Sequence, residues 1–365
     1  MKGTIDLNCE PGETQKISIQ LPESIFFTEK PEMEFFINFS FKTKNDNDLL
    51  PAGYEIAYEQ LQFDVPMVEP DSLEKVDKLN LTQNNDVILL SNNDFSFTID
   101  KKEGVPTSLI YKGVEMLAGP VKPNFWRAPT LNDDADWNGR RKWEAAGLDS
   151  LVISENKTFK VTRTDAGHVS VSVGLEFLDR NGELVLKTND LYDVDGNGNI
   201  LVTMRVEPTE KIETFPKIGA QWRMPLSFDK IRYFGKDTEN YPDRDASGRV
   251  GVYKRNASDF FEMHEEPQES GNRMHVRWVE ITDDDGNGLK VSGEEQLNFS
   301  IYQYSDEDLT KAERINQIEP ADFWTVNIDY KQAPLGTATC GPGALDKYLI
   351  KNDIYEYSFK IQPLK

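Results

Sequence analysis

Two stretches of the 365-residue sequence combine residue types that sugar-binding sites use. The first, 123–133, reads Pro-Asn-Phe-Trp-Arg-Ala-Pro-Thr-Leu-Asn-Asp, and the second consists of 239–244 and 267–273. Aromatic rings in such loops offer stacking platforms, while planar amide, carboxylate and guanidinium groups fix the orientation of a ligand. Buried arginine–carboxylate pairs that stabilise long loops would account for the same residues. The residue types alone leave both interpretations open.

Paired carboxylates are the second chemistry that the composition allows. Glycoside hydrolysis needs one carboxylic acid to protonate the leaving oxygen and a second as nucleophile or base, roughly 5–10 Å away. The sequence holds 63 aspartates and glutamates, and their spacing singles out no pair. We expect nearly all of them to be solvated residues of strands and loops.

Histidine and cysteine patterns give little support for metal-dependent catalysis. The histidines His168, His264 and His275 include no pair four residues apart, which a helical zinc site would need. Cys9 and Cys340 are too few for a disulfide framework or a four-cysteine zinc site. No Gly-x-Ser-x-Gly nucleophile elbow occurs, although counting alone leaves a Ser-His-Asp triad open.

Two acidic segments have the residue spacing of calcium-binding loops. The residues of 283–294 match the EF-hand spacing, and 193–198 matches its first half. Both stretches lie beside alternating runs instead of between helices, and their Asn and Gly residues accept the positive φ angles of tight turns. We predict β-hairpins at both places and no metal site, and calcium bound to so acidic a surface would be adventitious.

The charge balance and the distribution of apolar residues argue against two classes of partner, nucleic acids and membranes. The 41 basic and 63 acidic residues give a formal charge of −22, which disfavours binding to the phosphate backbone of nucleic acids. No run of 18 apolar residues exists, so we expect no membrane-spanning helix. The polar start contains no signal-peptide pattern, and the compartment, cytoplasmic or periplasmic, stays unknown.

Alternation of apolar and polar residues dominates the chain. Clear runs cover 35–42, 169–177, 200–206 and 355–361, and each is typical of a strand with one face against a core. Helix signals are confined to 305–308, which has the residues of a capping box, and to 141–146. We therefore predict an all-β chain, most of it a large antiparallel β-sandwich.

A domain boundary is predicted where prolines, lysines and acidic residues interrupt the alternation. We assign 1–66 to a partial immunoglobulin-like β-sandwich, 67–82 to a linker and 83–365 to the large sandwich. About four strand-sized runs precede the linker, fewer than the roughly seven strands of a complete immunoglobulin-like domain. The chain is thus expected to begin inside a domain.

Several motifs together resemble the C-terminal part of family 2 glycoside hydrolases of the β-galactosidase type. Residues 124–129 with 132–133 are similar to the family's Asn-Phe-Trp-Arg-Ala-Pro-Thr-Asp-Asn-Asp loop, and 215–219 to its Leu-Pro-Arg-Ile-Gly segment. Residues 239–244 match Glu-Asn-Tyr-Pro-Asp-Arg, and 267–273 are similar to Pro-Gln-Glu-Asn-Gly-Asn-Arg. The tail, 326–363, resembles the family's closing strands.

The resemblance implies a galactose-mutarotase-like β-supersandwich, the β-galactosidase small chain, over 83–365. It also implies that the catalytic glutamates lie on an upstream TIM-barrel domain or large subunit. This chain would then shape one wall of the galactoside site and the aglycone region, hold no catalytic residue and be inactive alone. Magnesium and sodium, and optionally calcium, would belong to the complete enzyme, with no cofactor in this chain.

The resemblance also assigns roles to individual residues. Substrate binding is expected of two short groups of residues: Trp126, Arg127, Asn132, Asp133, Thr339, Cys340 and Gly341. A structural role is expected of the residues in the other two motifs: Glu239, Asn240, Tyr241, Asp243, Arg244, Gln268, Glu269, Asn272 and Arg273.

The sequence departs from the family pattern in three places. Leu131 replaces the usual Asp, and Asn316 lies where an Arg-x-His segment is common. Residues 336–342 replace a Gly-Gly-Asp-x-Ser-Trp segment whose Trp stacks on the leaving sugar. Stacking on an indole contributes about 1 kcal/mol or more, so the parent enzyme is predicted to have a weaker preference for glucose as aglycone.

Two other functions stay open. A free-standing aldose mutarotase would need His264 or His275 to face Glu269 across one cleft for acid–base work on the anomeric hydroxyl. A non-catalytic galactoside-binding module would use Trp126 and Trp137 as stacking platforms.

Overall fold

The computed structural model describes residues 2–5, 7, 9–20, 34–63, 75–135 and 139–364. The chain divides into two compact units, Met1–Lys75 and Val76–Lys365. The described residues form 22 strands and only two short α-helices, which confirms the predicted all-β class.

The first unit contains one antiparallel hairpin. Strands β1 (Phe35–Lys42) and β2 (Glu55–Phe63) pair from Phe35 opposite Phe63 to Phe41 opposite Ala57. The strand predicted at 35–42 is present, but one-sided burial is not seen along its whole length, because Phe41 is exposed, as are Ile56 and Leu61 of β2. The immunoglobulin-like assignment stays a prediction, because 21–33 and 64–66 lie outside the described residues.

The second unit begins with a five-stranded antiparallel sheet whose strands follow one another in chain order: β3 (Asn80–Gln83), β4 (Val87–Ser91), β5 (Phe95–Asp100), β6 (Val105–Tyr111) and β7 (Val114–Glu115). Most of the predicted linker lies outside the described residues. Its last residues belong to the second unit, because Leu79 is fully buried in the core and β3 pairs with β4.

The other fifteen strands complete the second unit: β8 (Gly119–Asn124), β9 (Val152–Ile153), β10 (Thr158–Arg163), β11 (His168–Leu178), β12 (Leu184–Asp195), β13 (Ile200–Pro208), β14 (Thr214–Phe215), β15 (Lys217–Pro225), β16 (Lys230–Lys236), β17 (Val250–Asn256), β18 (Arg273–Thr282), β19 (Gly288–Tyr302), β20 (Phe323–Gln332), β21 (Ile350–Lys351) and β22 (Tyr355–Leu364). Strands β14 and β21 pair as a small ribbon, and the other thirteen form one sheet.

The large sheet runs in the order β10-β11-β12-β13-β22-β19-β18-β16-β17. Strand β19 also pairs with β20, β20 with β15, and β15 with β8, so the sheet branches and curls. The five-stranded sheet packs against it, as the rings of Phe97 in β5 and Tyr192 in β12 show at 5.8 Å between centroids. Both sheets bury their apolar face in one shared core. The predicted large antiparallel sandwich is confirmed.

Both predicted helices are present as short elements, α1 (Gly139–Ala145) and α2 (Asp306–Lys311). The Ser305 side chain caps α2 by accepting a hydrogen bond from the Asp308 backbone N at 3.0 Å. Among the described residues, no helix is long and apolar enough to cross a membrane.

The two acidic turns are β-hairpins, as predicted. Asp283 accepts hydrogen bonds from the backbone N and the Nδ2 of Asn287, at 2.8 and 2.9 Å, where β18 turns into β19. Asp195 holds the turn from β12 to β13 in the same way through Asn197 and Asn199. The aspartates stabilise the turns by bonding the local backbone.

Candidate functional site

Four segments of the second unit meet, and we call them the loop cluster: 124–135, 239–245, 262–273 and 333–341. Backbone hydrogen bonds join them, since Glu269 N donates to Ala128 O at 3.1 Å and Asn240 N donates to Asn272 O at 3.0 Å. The sequence separations are large, so the loop cluster depends on the sheet that brings its segments together.

Arg127 and Asp133 form a buried ion pair at the centre of the loop cluster. Arg127 NH2 donates to both carboxylate oxygens of Asp133, at 3.0 and 2.9 Å. The guanidinium also donates to the carbonyl oxygens of Ala333 and Pro334, at 2.7 and 3.0 Å, and lies over the Trp143 ring. Asp133 accepts two further bonds from Thr130.

The burial of this pair changes the role predicted for it. Arg127 and Asp133 have no exposed surface, so neither side chain reaches a ligand unless the loop opens. The second interpretation of the motif, a buried arginine–carboxylate pair that stabilises long loops, describes their geometry. We regard both as positioning residues.

Asn132 connects the 124–135 and 333–341 segments of the loop cluster. Its Nδ2 donates to Gly336 O at 3.1 Å, and its Oδ1 accepts from the backbone N and the hydroxyl of Thr339, at 3.0 and 2.9 Å. The side chain is partly exposed, and Thr339, Cys340 and Gly341 are exposed. These four residues, all predicted to bind substrate, therefore form one continuous surface.

The same stretch is held from its other side by Asp243 and Arg244. The Asp243 carboxylate accepts from Leu335 N at 2.9 Å and from Gly336 N at 2.8 Å. Arg244 NH2 donates to Gly336 O. Gly336 is thus bonded by three side chains of two different segments.

The remaining motif residues bond their own neighbours. Asn240 Oδ1 accepts from Met274 N at 2.8 Å, Asn272 Nδ2 donates to Asn240 O at 2.8 Å, and Glu239 accepts from Gly271 N at 2.7 Å. Arg273 donates to the carbonyl oxygens of Gly271 and Asn272 and lies over a phenylalanine ring. These contacts fit the structural role expected of them.

Tyr241, Gln268 and Glu269 lie beside the Arg127–Asp133 pair. Gln268 Oε1 accepts from Leu131 N at 3.3 Å, and Glu269 Oε1 accepts from Gln332 Nε2 at 3.2 Å. Burial raises the pKa of Glu269 to about 7, although Lys217 and Arg127 act in the opposite direction. Tyr241 is buried, and its pKa is raised by burial and by the nearby glutamates.

Sequence reasoning missed a buried polar group beneath the loop cluster. Lys217 of β15 and Asp329 of β20 are fully buried, with Nζ and Oδ2 3.1 Å apart. The carboxylate occupies the place of a side chain at Gly219, where a Cβ would lie 2.0 Å from Asp329 Oδ1. Lys217 lies within the 215–219 motif, so the motif was the available signal for it.

The histidines do not build an acid–base pair with Glu269. His264 is exposed, whereas Glu269 is buried. His275 has φ 57° in an irregular part of β18 and bonds Gln296 and Asp245, at 2.8 and 2.7 Å. Burial would raise the pKa of Asp245, but hydrogen bonds from His275 and Lys236 lower it to about 2. The arrangement needed for a free-standing mutarotase is therefore not supported.

Two further points concern the predicted site. Trp126 is partly exposed, and its Nε1 donates to Thr310 Oγ1 at 3.2 Å, whereas Trp137 lies outside the described residues. Within the described ranges, no group of three or more His, Cys, Asp or Glu side chains is placed to hold a metal ion.

Comparison with known proteins decides the family. A family model described as the β-galactosidase small chain matches residues 91–361, and one described as β-galactosidase domain 4 matches residues 1–64. The chain belongs to the β-galactosidase small-chain family. The matched small-chain region contains the whole loop cluster.

Curated relatives of this chain agree with that assignment. The β-galactosidase of Priestia megaterium is 29% identical over 98% of this chain, and that of Actinobacillus pleuropneumoniae is 23% identical over 98%. The chain spans about a third of their length, 34% in both cases.

Solved structures with a similar fold include two proteins named as sugar epimerases. Galactose 1-epimerase from Lactobacillus acidophilus covers 79% of this chain and 99% of its own, with a TM-score of 0.44 and 11% identity. A putative aldose 1-epimerase from Escherichia coli covers 78% and 99%, with a TM-score of 0.42 and 12% identity.

Proposed function

We propose that this chain is the C-terminal third of a β-galactosidase that hydrolyses terminal β-D-galactosides, and that the loop cluster forms one wall of its galactoside site. The family match over 91–361 and relatives named β-galactosidase, about three times as long, support the first part. The clamp that Asn132 makes on 336–339 supports the second.

The clamp carries the wall proposal because it orders an exposed surface. Loop residues bind ligands well when a rigid scaffold fixes them in advance. Asn132 and Asp243 fix 335–339 from two sides, while Thr339 and Cys340 stay exposed at its tip. Such a surface would orient a sugar by hydrogen bonds and exclude water, without moving a proton itself.

The proton transfers would come from outside this chain. Glycoside hydrolysis uses two carboxyl groups that flank the scissile bond, and the acids at the centre of the loop cluster, Asp133 and Glu269, are buried. The catalytic glutamates would lie on the upstream TIM-barrel region, together with the magnesium and sodium that the complete enzyme is expected to hold. This chain would be inactive alone.

Complementation tests the proposal. The 365-residue chain, the separately expressed upstream region and their mixture would each be assayed with an aryl β-galactoside. We expect hydrolysis by the mixture and none by the chain. Turnover by the isolated chain, or an upstream region that is fully active without it, would contradict the proposal.

The aglycone region gives a finer test, in which Cys340 is the better position for restoring the indole. Cys340 is exposed, whereas a Cβ at Gly341 would lie 2.9 Å from Thr337 Oγ1 and 3.1 Å from its carbonyl oxygen. We expect Cys340→Trp to lower the KM of the complemented enzyme for lactose more than for an aryl galactoside. An unchanged KM for lactose would contradict the proposal that 336–342 contacts the aglycone.

A further inference from the structure

An open cleft lies in the second unit beside the loop cluster, and its lining does not include the clamp that Asn132 makes on 336–339. Its volume is about 1450 Å³, and it is lined by β8, β15, α1 and α2 together with the edge of the 124–135 segment. Sites for small molecules typically measure roughly 300–1,000 Å³. The cleft is therefore large enough for a ligand longer than one sugar ring.

Asp306 belongs to the lining that we call the cleft floor, together with Asn124 and Gln221. Its Oδ2 accepts from Gln221 Nε2 at 2.8 Å and from Asn124 Nδ2 at 3.4 Å, and its Oδ1 accepts from the Tyr302 hydroxyl. Gln221 and Asn124 belong to the neighbouring strands β15 and β8. Three planar polar side chains from three elements thus converge on one spot, which solvated residues of a strand would not do.

A buried network fixes this floor from below. Gln221 Nε2 also donates to Asn327 Oδ1 at 2.9 Å, and that oxygen accepts from Lys217 Nζ at 3.1 Å. Lys217 in turn pairs with Asp329, and both are fully buried. A buried ion pair is costly and contributes little net stability. Hydrogen bonds through Asn327 and Gln221 connect it to Asp306, which indicates that it orients the polar groups of the floor.

The cleft wall carries an aromatic ring that is fixed in orientation. Trp126 donates its Nε1 hydrogen to Thr310 Oγ1 at 3.2 Å, and Thr310 Oγ1 donates to Asp306 O at 2.6 Å. The ring also makes an edge contact with Trp143 at 6.3 Å. Trp126 is partly exposed and lines the cleft. An indole held in this way is a stacking surface that loses little entropy on binding.

Charges at the cleft rim neutralise one another. Arg140 pairs with Glu144 at 2.7 Å, and Arg314 pairs with Glu266 at 2.7 Å. All four residues line the cleft. The whole lining contains seven Lys or Arg and nine Asp or Glu side chains, so it offers no strong single-sign field that would select a charged ligand.

We propose that this cleft is a binding site for a neutral oligosaccharide. The indole of Trp126 would stack on the apolar face of a sugar ring. The Asp306 carboxylate, which already accepts from Gln221, Asn124 and Tyr302, would accept one further hydrogen bond from a sugar hydroxyl group. Asn124 and Gln221 would hold that carboxylate in place. The proposal rests on the proposed function in one respect, because Asn124 and Trp126 belong to the 124–135 segment of the loop cluster. Neither residue is bonded to the clamp that Asn132 makes on 336–339.

Titration calorimetry of the 365-residue chain tests the site. The probes are β-1,4-galactotriose and cellotriose, with trigalacturonic acid as the charged comparison. We expect a neutral trisaccharide to bind, and Trp126→Leu and Asp306→Ala to weaken its binding at least tenfold. Asp322→Asn, an exposed carboxylate outside the cleft, is the matched control and should leave the affinity unchanged.

Hydrogen exchange supplies a second measurement that needs no variant. Bound trisaccharide should slow amide exchange in 302–311, which contains α2. Absence of heat and of protection with both neutral probes would overturn the proposal. So would a trisaccharide affinity that neither variant changes, or one that is lost when the upstream region is added, since the cleft would then be a domain interface.

Discussion

Two fully buried aspartates of the second unit have opposite surroundings. Asp133 in the loop cluster is bonded by Arg127 and by the backbone and hydroxyl of Thr130. Asp190 in β12 has no hydrogen-bond partner for either carboxylate oxygen. It lies opposite Val173 and Met204 of the neighbouring strands, and burial raises its pKa to about 7.

The difference separates two ways of burying a charge. A carboxylate that is paired and hydrogen-bonded keeps its charge and positions the groups around it. One without partners is costly as an anion and takes up a proton instead. Burial raises the pKa of Asp133, and Arg127 and Thr130 act in the opposite direction. Burial acts on Asp190 with no cation beside it and raises its pKa to about 7.

Removing the cation that pairs with Asp133 should have the largest effect on the free energy of unfolding. Arg127→Met would leave the Asp133 carboxylate buried without its cation, and such losses cost about 3–5 kcal/mol. Urea unfolding followed by tryptophan fluorescence measures the free energy of unfolding. Arg180→Met is the control, because Arg180 pairs with Asp149 at the surface and should cost under about 1 kcal/mol. Equal losses in the two variants would refute the distinction.

Replacing the unpaired carboxylate of Asp190 should have a smaller effect, and it should raise the free energy of unfolding. Asp190→Leu replaces an orphaned carboxylate by an apolar side chain of similar size, and we expect about 1–3 kcal/mol of added stability at pH 8. The same urea titration measures it, with Asp322→Leu as the exposed control. A destabilised Asp190→Leu variant would mean that the carboxylate has a partner in solution.

The stability difference between wild type and Asp190→Leu should depend on pH. The folded pKa of Asp190, about 7, lies above the ordinary aspartate value of 3.8, so the folded state holds the proton more tightly than the unfolded state. The contribution of Asp190 to stability is complete below about pH 4 and is lost as the pH rises through 7. We expect the advantage of the leucine variant to grow over that range. A difference that is constant from pH 4 to 8 would contradict the assignment.

The clamp that Asn132 makes on 336–339 should contribute least to stability. Asn132→Ala removes three hydrogen bonds at a partly exposed site, and we expect a loss of about 1 kcal/mol. Thr339→Val removes one of them and should cost less. Differential scanning calorimetry would rank the two variants, and the reverse order would show that the Thr339 hydroxyl has another role.

Much of the fold could be predicted from the sequence because alternation directly reports which side of a strand is buried. The runs at 169–177 and 200–206 became β11 and β13, and the acidic turns became hairpins. The motif residues were found, but not their contacts. Asn132 bonds Thr339 across 207 residues, and no local pattern specifies that meeting.

Buried polar residues account for most of what could not be predicted. Asp190 and Asp329 each occupy a core position of a strand, where sequence patterns lead one to expect apolar side chains. Whether such a residue is paired depends on strands that are distant in the sequence, as Lys217 of β15 and Asp329 of β20 demonstrate. Arg127 was predicted to bind substrate for the same reason, because the sequence does not show that its guanidinium bonds Asp133 and the carbonyl oxygens of 333–334.

The wall that the loop cluster would form is tested most directly by the kinetics of Asn132→Ala in the complemented enzyme. The account predicts a KM for lactose and for an aryl β-galactoside that rises at least threefold, with a much smaller change in kcat. Asp322→Asn should change neither constant. An unchanged KM for both substrates, in an Asn132→Ala chain that folds and assembles normally, would contradict the account.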